Sequence, residues 1–377
     1  MELYTLNRSF QRTNVIDQFH SAIWTERYYG DGEFQLVVPG TTDMVSKLMV
    51  GTFMMIDGSD EPMILENIDI GDGKLTASGI TLTKWLNNRF IRVSANHEDK
   101  YWYIDGGPAG WVLWEIVFGM CTTGSPYLNG TIDIGVPNPQ RFAIPNLALL
   151  DCDMSGGNVS IGVPFGPVYD ALREIATTYQ IGMQIILQPT DTSYALLFRS
   201  YKGLDHTSAQ ITNPIVRYSP QMDSFTNIKE LRSIAALKTL VYSFAPSLKP
   251  DEGQPDLRTR AGESILTDAQ YTGFDLRALM VLADDISTDM VGGSQQNLVN
   301  ILDSRAYDAL TNNHYVRAVD GEIVPDAQLQ YGVHYNLGDL IEVQGNSGVI
   351  QSARITEYIR TQDAAGEKSY PTVSMIG

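Results

Sequence analysis

Residues 34–38, Phe-Gln-Leu-Val-Val, set apolar side chains at every second position between an Asp31-Gly32 turn and a Pro39-Gly40 stop. That is the period of a half-buried strand. Segments 52–56, 63–70 and 74–78 follow in the same style, separated by the polar stretch 57–62 and the Asp72-Gly73 turn, so the first part of the chain reads as hairpins in series. The period then changes. Leu82, Trp85, Leu86 and Arg89 fall at helical spacing with three apolar residues on one face, which predicts a short helix suited to plugging one end of a barrel.

Further along, 108–120 is apolar almost all round and predicts a buried helix with Pro108 tolerated in its first turn. Residues 167–179 predict an amphipathic helix with Val168, Leu172, Ile175, Ala176 and Tyr179 on its stripe, and 183–187 and 194–200 predict strands. Together these read as an α/β insertion. Strands return at 215–218, 233–237 and 239–244, then a Pro-, Gly- and Asp-rich excursion at 246–262, then a helix over 296–312 carrying Leu298, Ile301, Leu302, Arg305 and Leu310 towards one side. In 335–377, strands at 340–343 and 353–359 flank the turn Gly345-Asn346-Ser347-Gly348, and a third strand ends the chain. Gly338 can take a positive φ and Asp339 can hydrogen-bond nearby backbone, so the pair marks a strand entry. The division expected is 1–95, β-rich; 96–205, α/β; and 206–377, β-rich with the helix 296–312.

Composition narrows what this architecture can do. A chain of 377 residues with 43% hydrophobic content has ample material for more than one core. Its 26 Lys and Arg stand against 44 Asp and Glu, a net charge of -18. Such a surface cannot grip phosphates by counterion release, although it suits a passage that DNA traverses without sticking. Cys121 and Cys152 are too few for a disulfide framework and fit a reducing compartment. The chain opens without a leader-like segment, and its longest apolar run, 110–120, is short and contains Glu115, so no integral membrane association is expected.

The sequence lacks a phosphate-binding Gly-x-x-x-x-Gly-Lys-Ser/Thr loop, a Gly-x-Ser-x-Gly elbow and a His-Glu-x-x-His helix. His20, His97, His206, His314 and His334 are scattered singly. Asp151, Cys152 and Asp153 have no second ligand pair at metal spacing. Asp284, Asp285 and Asp289 are close in sequence, whereas glycosidase carboxylates face each other across a cleft from different elements. The run 57–61 lacks the register of a calcium loop and reads as a hairpin tip. Tyr101, Trp102, Tyr103, Trp111 and Trp114 could form a sugar or base platform, but aromatic packing in a core or subunit contact is the commoner use. No catalytic residue, metal ligand or cofactor is expected.

The order of five motifs resembles the tail-tip (baseplate) hub proteins of long-tailed siphophages, whose fold is shared with contractile-tail hubs. Trp24 leads into Gly32, Phe34 and Leu36 as Gly-x-Phe-x-Leu; Gly79 precedes a short helix and Arg89 in Leu-x-x-Arg; Asp205 lies before Val216-Arg217-Tyr218-Ser219; Leu276-Arg277 precedes Asp285-Ile286-Ser287; and Gly338 and Asp339 are followed by Arg354-Ile355-Thr356-Glu357 and Pro371-Thr372. The resemblance implies an α+β, mostly β fold with two similar small β-barrels and an inserted α/β domain. It implies a homotrimer forming a pseudo-six-fold ring that joins a hexameric tail tube or distal tail protein to a three-fold tip, with tip, fibre or receptor-binding proteins and the tape-measure protein as partners and DNA passing transiently. The implied place is the distal end of the virion tail, after assembly in the host cytoplasm. Many such proteins carry a C-terminal lysin or fibre extension, whereas this sequence stops after its last strand, so a separate tip protein is expected and a cell-wall hydrolase is not. The alternative is a tail-associated cell-wall or carbohydrate-active enzyme, or a carbohydrate-binding receptor module, drawing on the aromatic run and the spare carboxylates.

Overall fold

Alternation builds the first seven strands of the protein, seen in a computed structural model that describes residues 1–91, 101–104, 106–122, 139–149, 152–159, 161–189, 194–245, 248, 262–265, 271–287, 291–292, 294–324 and 329–376. Strands β1 (Leu3–Leu6), β2 (Arg12–Ile16), β3 (Ser21–Arg27), β4 (Glu33–Pro39), β5 (Phe53–Ile56), β6 (Met63–Gly71) and β7 (Lys74–Thr81) pair antiparallel. Phe34, Leu36 and Val38 of β4 turn into a core shared with Leu75 and Ala77 of β7, Met63 and Leu65 of β6 and Trp24 of β3. The Trp24 and Phe34 rings stack with centroids 5.5 Å apart. Gly79 stands opposite Phe34 in register, and a Cβ there would lie 2.0 Å from the Ile64 carbonyl oxygen and 2.5 Å from the Phe34 ring. Only glycine lets β6 and the ring approach so closely. Helix α1 (Thr42–Lys47), capped by the Thr41 hydroxyl accepting from the Met44 N–H, adds Met44 to this core.

The opposite face of β1 and β5 is covered as well. Helices α2 (Leu82–Trp85), α3 (Ala109–Cys121) and α4 (Val168–Tyr179) and strands β8 (Tyr101–Ile104), β9 (Leu147–Leu149), β10 (Ile161–Pro164), β11 (Gly182–Pro189) and β12 (Tyr194–Tyr201) lie here. β8 and β10 pair, and β11, β12 and β9 form a three-stranded sheet. Val112, Leu113 and Ile116 of α3, Leu172 and Ile175 of α4, and Ile185 and Phe198 of the strands pack with Tyr4, Leu6, Phe53 and Met55. The two predicted helices appear with Pro108 and Pro167 as their N-caps. The continuous burial of β1 and β5 is thus explained by a layer on each face.

The remaining strands are β13 (Arg217–Tyr218), β14 (Phe225–Ser233), β15 (Leu240–Phe244), β16 (Gly262–Ile265), β17 (Ala278–Leu282), β18 (Val316–Ile323), β19 (Leu340–Gln344), β20 (Ile350–Asp363) and β21 (Gly366–Met375), with helix α5 (Gln295–Asn312) before β18. Residues 1–228 with 321–376 form one compact unit and 229–320 another. In the second, β15 lies between antiparallel β16 and parallel β17, and α5 packs through Leu298, Leu302, Ala306 and Leu310 onto Val241, Ala245, Ala283 and Ile286. β14 and β18 pair as a two-stranded ribbon. The strand expected at 233–237 is not formed there. It lies upstream, at 225–233, where its largely polar, solvent-exposed sequence gives no alternation to read.

The expected pair of small β-barrels is corrected by the sheet topology. The large sheet has eleven strands in the order β13-β19-β20-β3-β4-β7-β6-β5-β1-β2, with β21 also pairing β20, and it is open at β13 and β2. No sheet among the described residues closes on itself. The physical reason is β20, whose 14 residues serve two neighbours in succession: 350–354 pair with β19 and 357–362 pair with β3. A register shift between Ile355 and Glu357 marks the change. Strands expected to close a second barrel therefore continue the first sheet. Helix α2 and the 3-10 turn Leu86–Asn88, expected to plug a barrel, instead lie against β11 and α4. Among the described residues no helix is long and apolar enough to cross a membrane.

A candidate assembly junction

Where β19 begins, the chain passes through Gly338 at φ +93, a left-handed conformation in which a side chain is strained. A Cβ there would also lie 2.2 Å from the Tyr28 ring, and one on Gly203 would lie 2.0 Å from the Gly338 carbonyl oxygen. Three segments distant in sequence meet at this point. Arg354 donates through Nη1 to the Gly338 carbonyl at 2.7 Å and through Nη2 to Gln180 Oε1 at 3.1 Å.

Asp339 is buried, and both carboxylate oxygens are used. Oδ1 accepts the Leu204 N–H at 2.7 Å, Oδ2 accepts the Asn336 N–H at 2.6 Å, and His206 Nε2 stands 3.4 Å from Oδ2. Burial pushes its carboxyl above the ordinary range, outweighing these bonds. Asp205 accepts the Thr207 N–H at 2.8 Å and forms a bridge to Leu340, so 204–206 runs beside β19. Two residues into β19 from Leu340, Glu342 accepts from Ser208 N–H and Oγ at 2.8 and 2.5 Å and from Arg217 Nε and Nη2 at 2.8 and 2.6 Å. Burial raises the Glu342 carboxyl, but these bonds outweigh it and hold it below the ordinary range.

A second polar cluster lies in the same unit. Glu26 accepts from the Ser59 hydroxyl and stands 3.5 Å from Arg360, which also donates to the Gly58 carbonyl at 2.9 Å. Glu61 is buried beside them, and burial, then the neighbouring Glu26, drives its carboxyl well above the ordinary range. A cavity of about 410 Å³ opens here, lined by Glu26, Ser59, Glu61, Gln184, Arg199 and Tyr331.

The structure thus places the sequence-derived motif residues in three groups. Asp205, Gly338, Asp339 and Arg354 meet at the junction. Trp24, Phe34, Leu36 and Gly79 sit in the sheet core, with Gly32 at its margin against the Thr25 carbonyl and Thr81. Arg89 stands apart from both, donating to the Phe142 carbonyl at 2.7 Å and lying over the Trp85 ring at 4.8 Å. Sequence reasoning passed over Glu26, Tyr28, Glu342 and Arg360, and read His206 only as an isolated histidine. For Glu26 and Arg360 a signal existed, a charge inside an otherwise strand-like run.

The carboxylates considered for chemistry have structural partners. Asp153 accepts the Ser155 and Lys202 N–H groups at 2.7 and 2.6 Å, while Asp151 lies outside the described residues. Asp285 accepts both Arg305 terminal nitrogens at 2.5 and 2.6 Å, and this pairing holds its carboxyl down to about 2. Asp289, His97 and most of 246–262 also lie outside. Asp57 pairs with Arg12 at 3.2 Å, and the 57–61 turn buries Glu61 rather than offering it to an ion. Among the described residues no group of three potential ligands could hold a metal ion. Of the aromatic run, Trp102 is buried, Trp111 packs on the core and Trp114 stacks on Phe118 at 5.0 Å; the side chains of Tyr101 and Tyr103 are outside the description.

The sequence profile of the family described as Siphovirus ReqiPepy6 Gp37-like protein matches residues 1–373. No curated protein matches the sequence. Among solved structures, the 43 kDa tail protein of prophage MuSo2 from Shewanella oneidensis is similar in fold, with a TM-score of 0.50 at 11% identity over 99% of this chain and 97% of that one. The tail protein from Neisseria meningitidis MC58 gives 0.49 at 11% identity over 100% and 96%. Prophage tail protein gp18 from Listeria monocytogenes EGD-e gives 0.48 at 10% identity over 99% and 94%. The chain belongs to the siphovirus ReqiPepy6 Gp37-like family.

Proposed function

We propose that this protein is the hub at the distal end of the tail, a homotrimeric ring that adapts the hexameric tail tube or distal tail protein to a three-fold tip and lets DNA pass during ejection. The observation that carries the reading is the family match over 1–373, nearly the whole sequence. Two physical features support it. The net charge of -18 disfavours retention of DNA in a lumen. The open sheet ends in edge strands, which soluble proteins cover, and assembly with neighbouring chains covers them. The proposal is three-fold only, because a pseudo-six-fold ring rested on two barrels per chain.

In this reading 1–95, 96–205 and 206–377 are assembly modules. Trp24, Gly32, Phe34, Leu36, Gly79, Arg89, Asp205, Gly338, Asp339 and Arg354 keep the hub in shape and contact no substrate. Partners are the tube or distal tail protein, the tip, fibre or receptor-binding proteins, and the tape-measure protein. Trp102, the member of the aromatic run that is buried, is not available to stack on a sugar. Size-exclusion chromatography with light scattering tests the proposal: three times the 41.7 kDa chain mass is expected, with a three-fold ring in electron micrographs. A monomer persisting at high protein concentration would overturn it.

A further inference from the structure

A cavity of about 340 Å³ opens on the layer beneath β1 and β5, walled by Phe10, Phe53, Leu82, Trp85, Leu147 and Leu196. Its size lies at the low end of the roughly 300–1,000 Å³ found for ligand pockets. One wall is held at a conformational cost. Phe10 has φ +62, which a bulky side chain rarely adopts. Asn7 enforces it, its side-chain oxygen accepting the Ser9 and Gln11 N–H groups at 2.8 and 3.0 Å while its carbonyl accepts the Phe10 N–H at 2.9 Å. The turn stacks Phe10 on Phe53 with centroids 5.0 Å apart.

The same turn fixes a cation at the rim. The exposed Arg8 guanidinium lies 5.0 Å from the Phe53 ring centroid and also borders the cavity. Among the described residues Arg8 makes no ion pair, whereas nearby Arg12 meets Glu2 and Asp57. A positioned cation beside an apolar pocket, with no ion-pair partner among the described residues, is complementary to an apolar group carrying a carboxylate.

We propose that this pocket is a docking socket for a neighbouring tail protein, taking a large apolar side chain whose adjacent carboxylate pairs with Arg8. The proposal rests on the chain's working within an assembly, but it does not require a trimer.

The test uses 1-anilinonaphthalene-8-sulfonate, an aromatic body with an anionic group, and its uncharged counterpart N-phenyl-1-naphthylamine, each followed by fluorescence on the full chain. One molecule of either dye is expected per chain. Arg8→Gln should weaken the sulfonate about tenfold, the loss expected for one charge-assisted contact, and leave the uncharged dye within about twofold. N-acetyl-Trp-Glu-amide should displace the sulfonate from the wild type, and Ile144→Trp, at a residue that also lines the cavity, should block both dyes by filling it. Should Ile144→Trp fail to fold, the Arg8→Gln arm decides alone. Equal sulfonate binding by wild type and Arg8→Gln overturns the socket. Displacement by oleate but not by the dipeptide overturns the protein occupant in favour of a lipid. Either failure in a chain that still elutes as a trimer leaves the hub reading standing.

Discussion

Two regions of the large sheet, its centre and its β13 side, are held by different chemistry on the same backbone architecture. Around β3, β4 and β7 the contacts are apolar: Trp24, Phe34, Leu36 and Ala77 are almost fully buried and interlock by shape. Around β13, β19 and β20 the contacts are charged: Asp339, Glu342, Arg354 and Arg360 are also buried, but they are held by named donors and acceptors. The difference teaches how each region should fail. A packed core loses stability through cavities at any pH, whereas a buried polar junction loses it through unmet bonds and through titration.

The largest effect is therefore expected in the apolar centre. Trp24→Ala should lower unfolding free energy by about 3–5 kcal/mol in urea titrations, with the loss constant between neutral and mildly acid pH. A loss below about 1 kcal/mol would mean the Trp24–Phe34 stack does not hold the sheet. Next comes Gly338→Ala at the polar junction. It combines an unfavourable positive φ with a Cβ 2.2 Å from the Tyr28 ring, so about 2–4 kcal/mol is expected. If Gly338→Ala melts like the wild type, the junction is more adaptable than its packing indicates.

The same contrast decides what could be read from the sequence. Phe34, Leu36 and Val38 announce their strand because burial on one face leaves a period of two, and Leu298, Leu302 and Leu310 announce α5 for the corresponding helical reason. Gly338-Asp339 was legible as a strand entry from local turn chemistry. Its partners were not, since Leu204, His206 and Tyr28 lie far away in sequence and no period links them to β19. Closure misled for a related reason. Two groups of strands separated by helices suggest two barrels, and only the pairing of β20 with both β19 and β3 reveals one open sheet.

A smaller loss, about 1–3 kcal/mol, is expected from Arg217→Gln, which removes the charged donor at 2.6 Å from Glu342. Because the Glu342 carboxyl is held below its ordinary value of 4.5, its contribution is complete above that pH and disappears as pH falls through the lowered folded value. Urea midpoints from pH 7 down to 3 should fall less steeply for Arg217→Gln than for the wild type. Parallel curves would show that Ser208 alone sets the Glu342 ionisation.

The smallest change, and the one of opposite sign, is expected from Glu61→Gln. A carboxyl raised by burial and by Glu26 binds its proton more tightly in the folded chain than in the unfolded one. Its contribution is thus greatest below its ordinary 4.5 and declines as pH rises from there through the raised folded value. Glutamine keeps an oxygen that can accept from Thr83, 3.4 Å away, and never ionises. At pH 4 the variant should match the wild type within about 1 kcal/mol, and at higher pH it should become the more stable of the two. Asp339, raised for the same reason, would retain its own share of the decline in both proteins. The difference between the two curves therefore isolates Glu61. A difference that stays flat from pH 4 to 8 would show that Glu61 titrates alike folded and unfolded, and that the buried polar cluster around Glu26 is no more sensitive to pH at this point than the apolar core.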